Sequence, residues 1–185
     1  GSITFSGLVG DTTPLGVVTI DEALNVTFNG LRAASLVQTT GTGTTTINTG
    51  DFTANPDQGI GTTAGAGVVI NNNAITVSDS IDTAGGGVVT LNATGGALDI
   101  AAAGDITADG AVSLTGAGGI TTAGDVTTTA DFVRYFSAVT LDGDVAIETN
   151  AGGVGDITFD STVDGDGVAA RALTLGAGGG SITFS

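Results

Sequence analysis

Apolar and polar residues alternate in short segments along the whole chain. The recurring form is an apolar residue, a threonine and a second apolar residue, as in Ile3-Thr-Phe5, Val26-Thr-Phe28, Val89-Thr-Leu91, Val139-Thr-Leu141 and Leu173-Thr-Leu175. A period of two residues predicts β-strands with one face buried. Glycine, asparagine and aspartate interrupt the segments at short intervals, which is typical of tight turns. No long segment has the 3.6-residue period of a helix, so we expect an all-β fold.

The spacing of these segments predicts a parallel β-helix, or β-solenoid. The pattern predicts equivalent strand ends at Ile20, Ile47, Ile70, Leu91, Leu114, Leu141 and Leu175, with Ile47 the weakest match. One or two further short strands follow most of these positions. Strands at this spacing, separated by glycine-rich corners, predict about seven rungs of ~20–27 residues each. The longer step from Leu141 to Leu175 predicts an inserted loop, and a right-handed coil is the expectation from β-helices in general.

The last six residues repeat the first six. Gly-Ser-Ile-Thr-Phe-Ser occupies residues 1–6 and again residues 180–185, a shift of 179 residues. We therefore expect residues 1–185 to form one continuous solenoid segment, a single unit of a longer tandem array. The expected partners are identical or homologous units placed end to end, because bare strand edges invite stacking. Chance recurrence in a repetitive sequence, or a Gly-Ser left by cloning, stays open as an alternative.

Charge and composition narrow the classes of function. The chain has 41% hydrophobic residues, enough for a core, and 33 glycines. It has 19 acidic residues against three arginines and no lysine, a net charge of −16. Nucleic acid is excluded as a partner because phosphates need a basic face. No apolar run approaches the ~18 residues of a membrane span, so none is expected in this segment.

Aspartates near the C-terminal end are the candidate metal ligands. Hard cations such as calcium bind several oxygen atoms at once, and Asp-x-Asp in a turn can supply them. The alternative is that these aspartates form solvated corners. The candidate calcium ligands are Asp142, Asp144, Asp156, Asp160, Asp164 and Asp166.

Catalysis is not expected. Histidine and cysteine are absent, which excludes Ser-His and Cys-His nucleophiles and the usual zinc sites. A glycosidase would need two carboxylates across a groove and aromatic side chains for the sugar, and aromatic residues are sparse. The one aromatic cluster, Phe132–Phe136, is predicted to be a strand with Val133 and Tyr135 on one face and Phe132, Arg134 and Phe136 on the other.

In its short strands rich in glycine and threonine, the chain resembles the β-strand-repeat segments of giant bacterial extracellular proteins. Gly155-Asp-Ile-Thr-Phe159, Ala172-Leu-Thr-Leu175 and Asn25-Val-Thr-Phe28 carry the resemblance, together with the lack of cysteine. Such segments are similar to filamentous-haemagglutinin-type adhesins and to autotransporter passenger stalks. The resemblance implies a non-catalytic repeat unit of a filament or adhesin shaft, located outside the cell or on its surface.

Two other classes of function stay open. One is a surface module that binds calcium or glycans, which stoichiometric calcium dependence of stability would favour. The other is a polysaccharide-acting β-helix enzyme, which loss of activity on Asp→Asn substitution would favour. Calcium is thus the one cofactor considered, and surface glycans are the one further partner.

Overall fold

The computed structural model describes residues 1–52, 58–149 and 153–185, and these form only β-structure. Among them there is no helix, and hence none long and apolar enough to cross a membrane. The strands are β1 (Ile3–Phe5), β2 (Leu15–Ala23), β3 (Val26–Asn29), β4 (Leu31–Gly41), β5 (Thr44–Asn48), β6 (Ile60–Thr62), β7 (Val68–Asn72), β8 (Ala74–Val77), β9 (Ile81–Thr83), β10 (Val89–Ala93), β11 (Leu98–Ile100), β12 (Ile106–Ala108), β13 (Val112–Gly116), β14 (Ile120–Thr122), β15 (Val126–Thr128), β16 (Val133–Tyr135), β17 (Val139–Leu141), β18 (Val145–Glu148), β19 (Ile157–Phe159), β20 (Val163–Gly165), β21 (Leu173–Gly176) and β22 (Ile182–Phe184).

The strands pair in parallel and fall into three series. The first series is one sheet in the order β1-β3-β5-β8-β11-β14-β17-β20. The second sheet contains the other two: the second series β6-β9-β12-β15-β18-β21 and the third series β7-β10-β13-β16-β19-β22. The long strand β4 belongs to both, since Leu31–Ala33 pair with β6 and Leu36–Gln38 pair with β7. Strand β2 pairs with β4, and a single bridge joins Val9 to Leu31.

The chain visits the three series in a fixed order. From the third pass on, each pass adds one strand to the first, then the second, then the third series, and the next pass pairs with it in register. In the first pass the second series is represented by the Val9 bridge, and in the second pass β4 serves both the second and the third series. In the first series the separation of paired residues ranges from 19, between Val26 and Thr45, to 30, between Thr45 and Ile75. A parallel pair needs a crossover connection, and here the other two strands of the pass provide it. This arrangement is compatible with a β-solenoid.

Alternation places one face of every series in a common core. In β13, for example, Val112 and Leu114 are buried while Ser113 between them is half-buried. Inward residues lie directly over their equivalents in the next pass and form columns. The longest column in the third series contains Ile20, Gln38, Ile70, Leu91, Leu114, Tyr135, Phe159 and Phe184. The buried apolar residues of all three series belong to one cluster.

Two details of the spacing prediction are wrong. The first series has eight strands, so there are eight passes rather than about seven. The chosen strand ends also belong to different series: Ile47 and Leu141 lie in the first, Leu175 lies in the second, and the others lie in the third. The step from Leu141 to Leu175 covers more than one pass, since β18, β19 and β20 lie within it, and residues 150–152 of this step lie outside the described residues. The cause is that strands of all three series share one sequence pattern, so spacing alone does not tell them apart.

The aromatic cluster is a strand with two faces, as predicted. Val133 and Tyr135 of β16 are fully buried, whereas Phe132 and Phe136 are 45% and 42% exposed. The Tyr135 ring stacks on Phe159 at 4.9 Å between centroids. Its hydroxyl group is buried and has no hydrogen-bond partner among the residues that the structure describes. Burial, with a smaller contribution from the charge of Asp125, raises the pKa of Tyr135 well above its usual range.

The two hexapeptide copies lie in different series. Ile3–Phe5 forms β1 in the first series and pairs with β3. Ile182–Phe184 forms β22 in the third series and pairs with β19. Identical sequences thus occupy positions that are not equivalent around the core.

The stacked columns generate the first prediction. Replacement of Leu91 by alanine should destabilise the protein by about 2–5 kcal/mol, because a cavity forms between Ile70 and Leu114. The outward neighbour Thr90 is the matched control, and Thr90→Ala should change stability by less than about 0.5 kcal/mol. Urea unfolding of the two variants measures both. Equal small effects would show that the column is not packed as described.

The partnerless hydroxyl of the single tyrosine generates the second prediction. Tyr135→Phe should stabilise the protein by about 1 kcal/mol, because it removes a buried polar group that makes no hydrogen bond. Phe159→Tyr, in the same column, should do the reverse. In the wild type the raised pKa of Tyr135 means that stability is complete below pH ~10 and declines above it, where the unfolded chain ionises first.

Tyr135→Phe should remove that alkaline loss. Because the chain has one tyrosine, phenolate absorbance of the folded wild type reports this residue alone. Ionisation near pH ~10 without unfolding would contradict the burial of Tyr135.

Candidate functional site

The six candidate calcium ligands lie in different surroundings. Asp164 lies on β20 opposite Thr140 and is exposed. Asp160 pairs with Arg134, whose Nη2 lies 2.8 Å from its Oδ2. Within the described residues no three acidic side chains are grouped so that they could hold a metal ion. The structure therefore brings Asp142 and Asp166 together only through an arginine.

That arginine is Arg171, which joins two corners. Its Nη2 lies 2.5 Å from Oδ2 of Asp166 and 3.9 Å from Oδ1 of Asp142. Asp166 also accepts hydrogen bonds from the backbone N–H groups of Val168 and Ala169. The Arg171 guanidinium, helped by these N–H groups, holds the pKa of the Asp166 carboxyl well below its usual range. Asp166 therefore orders the connection between β20 and β21.

Two other candidates support the next pass of the backbone. Oδ1 of Asp144 accepts the N–H of Ala172 at 2.8 Å, and Oδ1 of Asp156 accepts the N–H of Ser181 at 2.7 Å. Asp105 and Asp125, which were not candidates, do the same. Asp105 accepts the N–H of Asp125 at 2.8 Å, and Asp125 accepts the N–H of Ala146 at 2.7 Å.

A sequence signal marks these four aspartates. Each stands between a glycine and the isoleucine or valine that begins a strand: 104–106, 124–126, 143–145 and 155–157. The glycine is needed because the backbone passes close to the pass below, and a Cβ at Gly104 would lie 2.6 Å from the carbonyl oxygen of Val77. The aspartate then satisfies a corner N–H one pass further along. These carboxylates are structural, and Gly-Asp-Ile or Gly-Asp-Val would have identified them.

A shallow groove crosses the outer face of the second series at Gly61. Arg32, Gly61 and Asp82 are outward neighbours in register, so Gly61 separates a cation on one neighbouring strand from an anion on the other. The Gln58 side chain lies over Gly61 and donates from Nε2 to Oδ2 of Asp82 at 2.8 Å. Arg32 packs over Phe52, with Cζ 5.8 Å from the ring centroid. Donors and an acceptor thus line one groove.

The outer face of the first series is uncharged along half of its length. Its central outward column contains Thr4, Thr27, Thr46, Thr76, Asp99, Thr121, Thr140 and Asp164. Asparagines beside the threonines bond along the column, with Nδ2 of Asn48 donating to Oδ1 of Asn29 at 2.9 Å. In a chain of net charge −16, the four threonine passes form a neutral side.

The two ends of the stack have open edges. Within the described ranges, strand β1 pairs only with β3, and β22 pairs only with β19. Apolar side chains are exposed at both: Leu15 and Val17 at one end, and Ile182 and Phe184 at the other, with Phe184 56% exposed. Unpaired edges with apolar side chains are templates for further strands. This is the arrangement with the clearest capacity for association.

Comparison of the chain with known proteins found no match: no family model, no curated protein and no solved structure matches it.

Proposed function

We propose that this chain is a structural repeat unit of an extracellular bacterial filament or giant adhesin shaft, with no catalytic role. In this proposal the three series are the three sides of a right-handed β-solenoid, and residues 1–185 form one segment of it. Units continue one another end to end. The proposal includes location outside the cell or on its surface.

One observation carries the proposal: the parallel pairing continues from the first pass to the last. Each of the eight strands of the first series pairs with its neighbours in the sheet, and inward columns run beneath them. Backbone hydrogen bonds along the stacking direction and a continuous apolar core would make a stiff rod. The open edges at β1 and β22 allow the same pairing to continue into a further unit.

The acidic outer surface supports an exposed, solvated rod. Outward positions are mostly threonine, asparagine and aspartate, and the net charge of −16 opposes collapse of rods onto each other. The carboxylates of the corner aspartates accept hydrogen bonds from backbone N–H groups of the next pass. They therefore serve the rod itself rather than a bound substrate.

Electron microscopy tests the third prediction. Cryo-electron microscopy of the native full-length material should show rods with an axial spacing of ~4.8 Å, the distance between hydrogen-bonded strands. Rods shorten in proportion if units are deleted. Globular particles without that spacing would contradict the filament proposal.

The groove at Gly61 favours a second candidate, a surface module that binds glycans. Arg32 and Asp82 line the same groove two strands apart, so a saccharide with hydroxyl groups and a carboxylate would find both donors and an acceptor. Arg134 and Arg171 are held in ion pairs. Arg32 instead lies over the Phe52 ring at the side of the groove.

Titration with oligosaccharides tests the groove as the fourth prediction. If it binds an acidic oligosaccharide, Arg32→Gln should weaken binding at least tenfold, the ~1.4 kcal/mol expected for loss of a charged hydrogen bond. Arg134→Gln, which removes an arginine on a different series, is the matched control and should leave affinity unchanged. Equal affinity of the wild type and Arg32→Gln would exclude the groove.

Calcium binding and polysaccharide cleavage are weaker candidates. For calcium, the proposal rests on the sequence alone, in which six aspartates lie between Asp142 and Asp166. In the structure, four of these carboxylates contact arginines or backbone N–H groups at separate places. For cleavage, it rests on the association of β-helices with polysaccharides. Stoichiometric stabilisation by calcium would support the first, and depolymerising activity the second.

A further inference from the structure

We propose that each unit of the tandem array is turned by one series, a third of a turn, relative to the unit before it. The proposal rests on the tandem filament of the preceding section and concerns the joint between units. At this joint the terminal hexapeptide serves both units: residues 180–185 of one unit are residues 1–6 of the next. The joint thus places the first series of each unit on the third series of its predecessor.

The positions of the two hexapeptides are the first support. Ile3-Thr-Phe5 lies in the first series, whereas Ile182-Thr-Phe184 lies in the third. If the two copies are one strand, that strand belongs to the third series of one unit and to the first series of the next. Each series of the next unit therefore lies one position further around the core. The following residues shift in the same way.

Two further landmarks agree with that shift. Six residues after Ile157, in the third series, the chain reaches Val163 in the first. Six residues after Ile3 it reaches Val9, which bridges to Leu31 in the second series. Next, Ala172-Leu-Thr-Leu175 lies in the second series and its counterpart, 17–20, lies in the third. The pass that begins at Ile157 thus resembles the pass that begins at Ile3, one series apart throughout.

The hydrogen-bonding edges of the two copies are complementary. In the first copy the N–H of Ile3 donates to the carbonyl of Asn25 in the pass that follows, at 2.8 Å. In the second copy the N–H of Ser185 donates to the carbonyl of Phe159 in the pass that precedes, at 2.9 Å. Each copy therefore pairs through the edge that the other leaves open. A single hexapeptide placed at the joint would use both edges.

The aromatic rings give the same result. Phe184 stacks on Phe159 at 4.9 Å and Phe159 stacks on Tyr135 at 4.9 Å. Phe5 stacks on Phe28 at 5.1 Å with the ring planes 5° apart. When Phe184 and Phe5 are one residue, these pairs become a continuous column of four rings. The joint also covers Phe184, which is otherwise 56% exposed.

The shift sets the geometry of the filament. From the first series of the first pass to the third series of the eighth pass, the unit advances seven and two-thirds passes. At ~4.8 Å for each pass this gives a rise of ~37 Å for each unit. The same outer face returns to the same side only after three units, about 110 Å. The neutral side formed by Thr4, Thr27, Thr46 and Thr76 would thus appear on each of the three sides in turn.

Paired cysteines across one joint provide the fifth prediction. Consider a chain in which residues 1–179 precede a second complete copy. If the joint is turned, Thr19 of the second copy lies beside Thr174 of the first copy, on adjacent strands of one series. If it is not turned, Thr19 of the second copy instead lies beside Thr158 of the first. Adjacent strands are ~4.8 Å apart, within the Cα separation that a disulfide spans.

We expect the Thr174→Cys/Thr19→Cys chain to form a disulfide on mild oxidation, with a shift in gel mobility that a reductant reverses. The Thr158→Cys/Thr19→Cys chain should stay unlinked. The natural sequence contains no cysteine, so no other thiol competes. Each single-cysteine chain controls for links between molecules.

The outcomes separate this inference from the proposed function. A disulfide only in the Thr158→Cys/Thr19→Cys chain would overturn the turned joint while leaving a tandem rod intact. No disulfide in either chain, in folded protein, would contradict the continuous tandem rod itself. Helical reconstruction of the native filament gives an independent reading: a unit rise of ~37 Å with a third of a turn supports the inference, and a unit rise without rotation overturns it.

Discussion

The structure depends on one constraint: a strand of three to five residues has its backbone groups satisfied only by the passes on either side of it. Parallel pairing in register forces each inward side chain to lie on its equivalent one pass away. Like residues therefore stack on like, and a short apolar-Thr-apolar unit suits every position. Corners are subject to the same constraint. There, Asp105, Asp125, Asp144 and Asp156 provide the acceptors that no strand provides.

The sequence reveals the strands and the parallel stack but not the assignment of each strand to a series. Alternation in Val89-Thr-Leu91 determines which side chains are buried, because the period of a strand is two residues. The same pattern occurs in all three series. Ile47 and Leu175 therefore match Leu91 in sequence pattern, although they lie in the first and second series and Leu91 lies in the third. The local pattern predicts that a segment is a strand. The series to which the strand belongs depends on the lengths of all the corners that precede it.

The roles of polar residues were harder to predict because they depend on the neighbouring pass. The sequence groups the aspartates from 142 to 166 as candidate calcium ligands, and the structure shows that Asp160 and Asp166 contact arginines and that Asp144 accepts a backbone N–H. In apolar-Thr-apolar segments such as Val89-Thr-Leu91, the threonine faces outward. In the second series, however, Thr83, Thr128 and Thr149 face inward and donate to carbonyl groups of the next corner. Such a hydroxyl replaces a missing backbone donor, and a single sequence does not reveal which corner needs one.

The three series share one sequence pattern, and this similarity is also what allows a turned joint. A core built from three unlike sides would tolerate only whole passes between units, since any other length would stack unlike residues. Here each side stacks aliphatic residues or aromatic rings of similar size, and Ile3-Thr-Phe5 fits as well over Ile157-Thr-Phe159 as under Val26-Thr-Phe28. The length of a unit then needs to be a whole number of strands rather than of passes. Two-thirds of a pass beyond seven satisfies that condition, and the interior continues through the joint although the outer surface changes side.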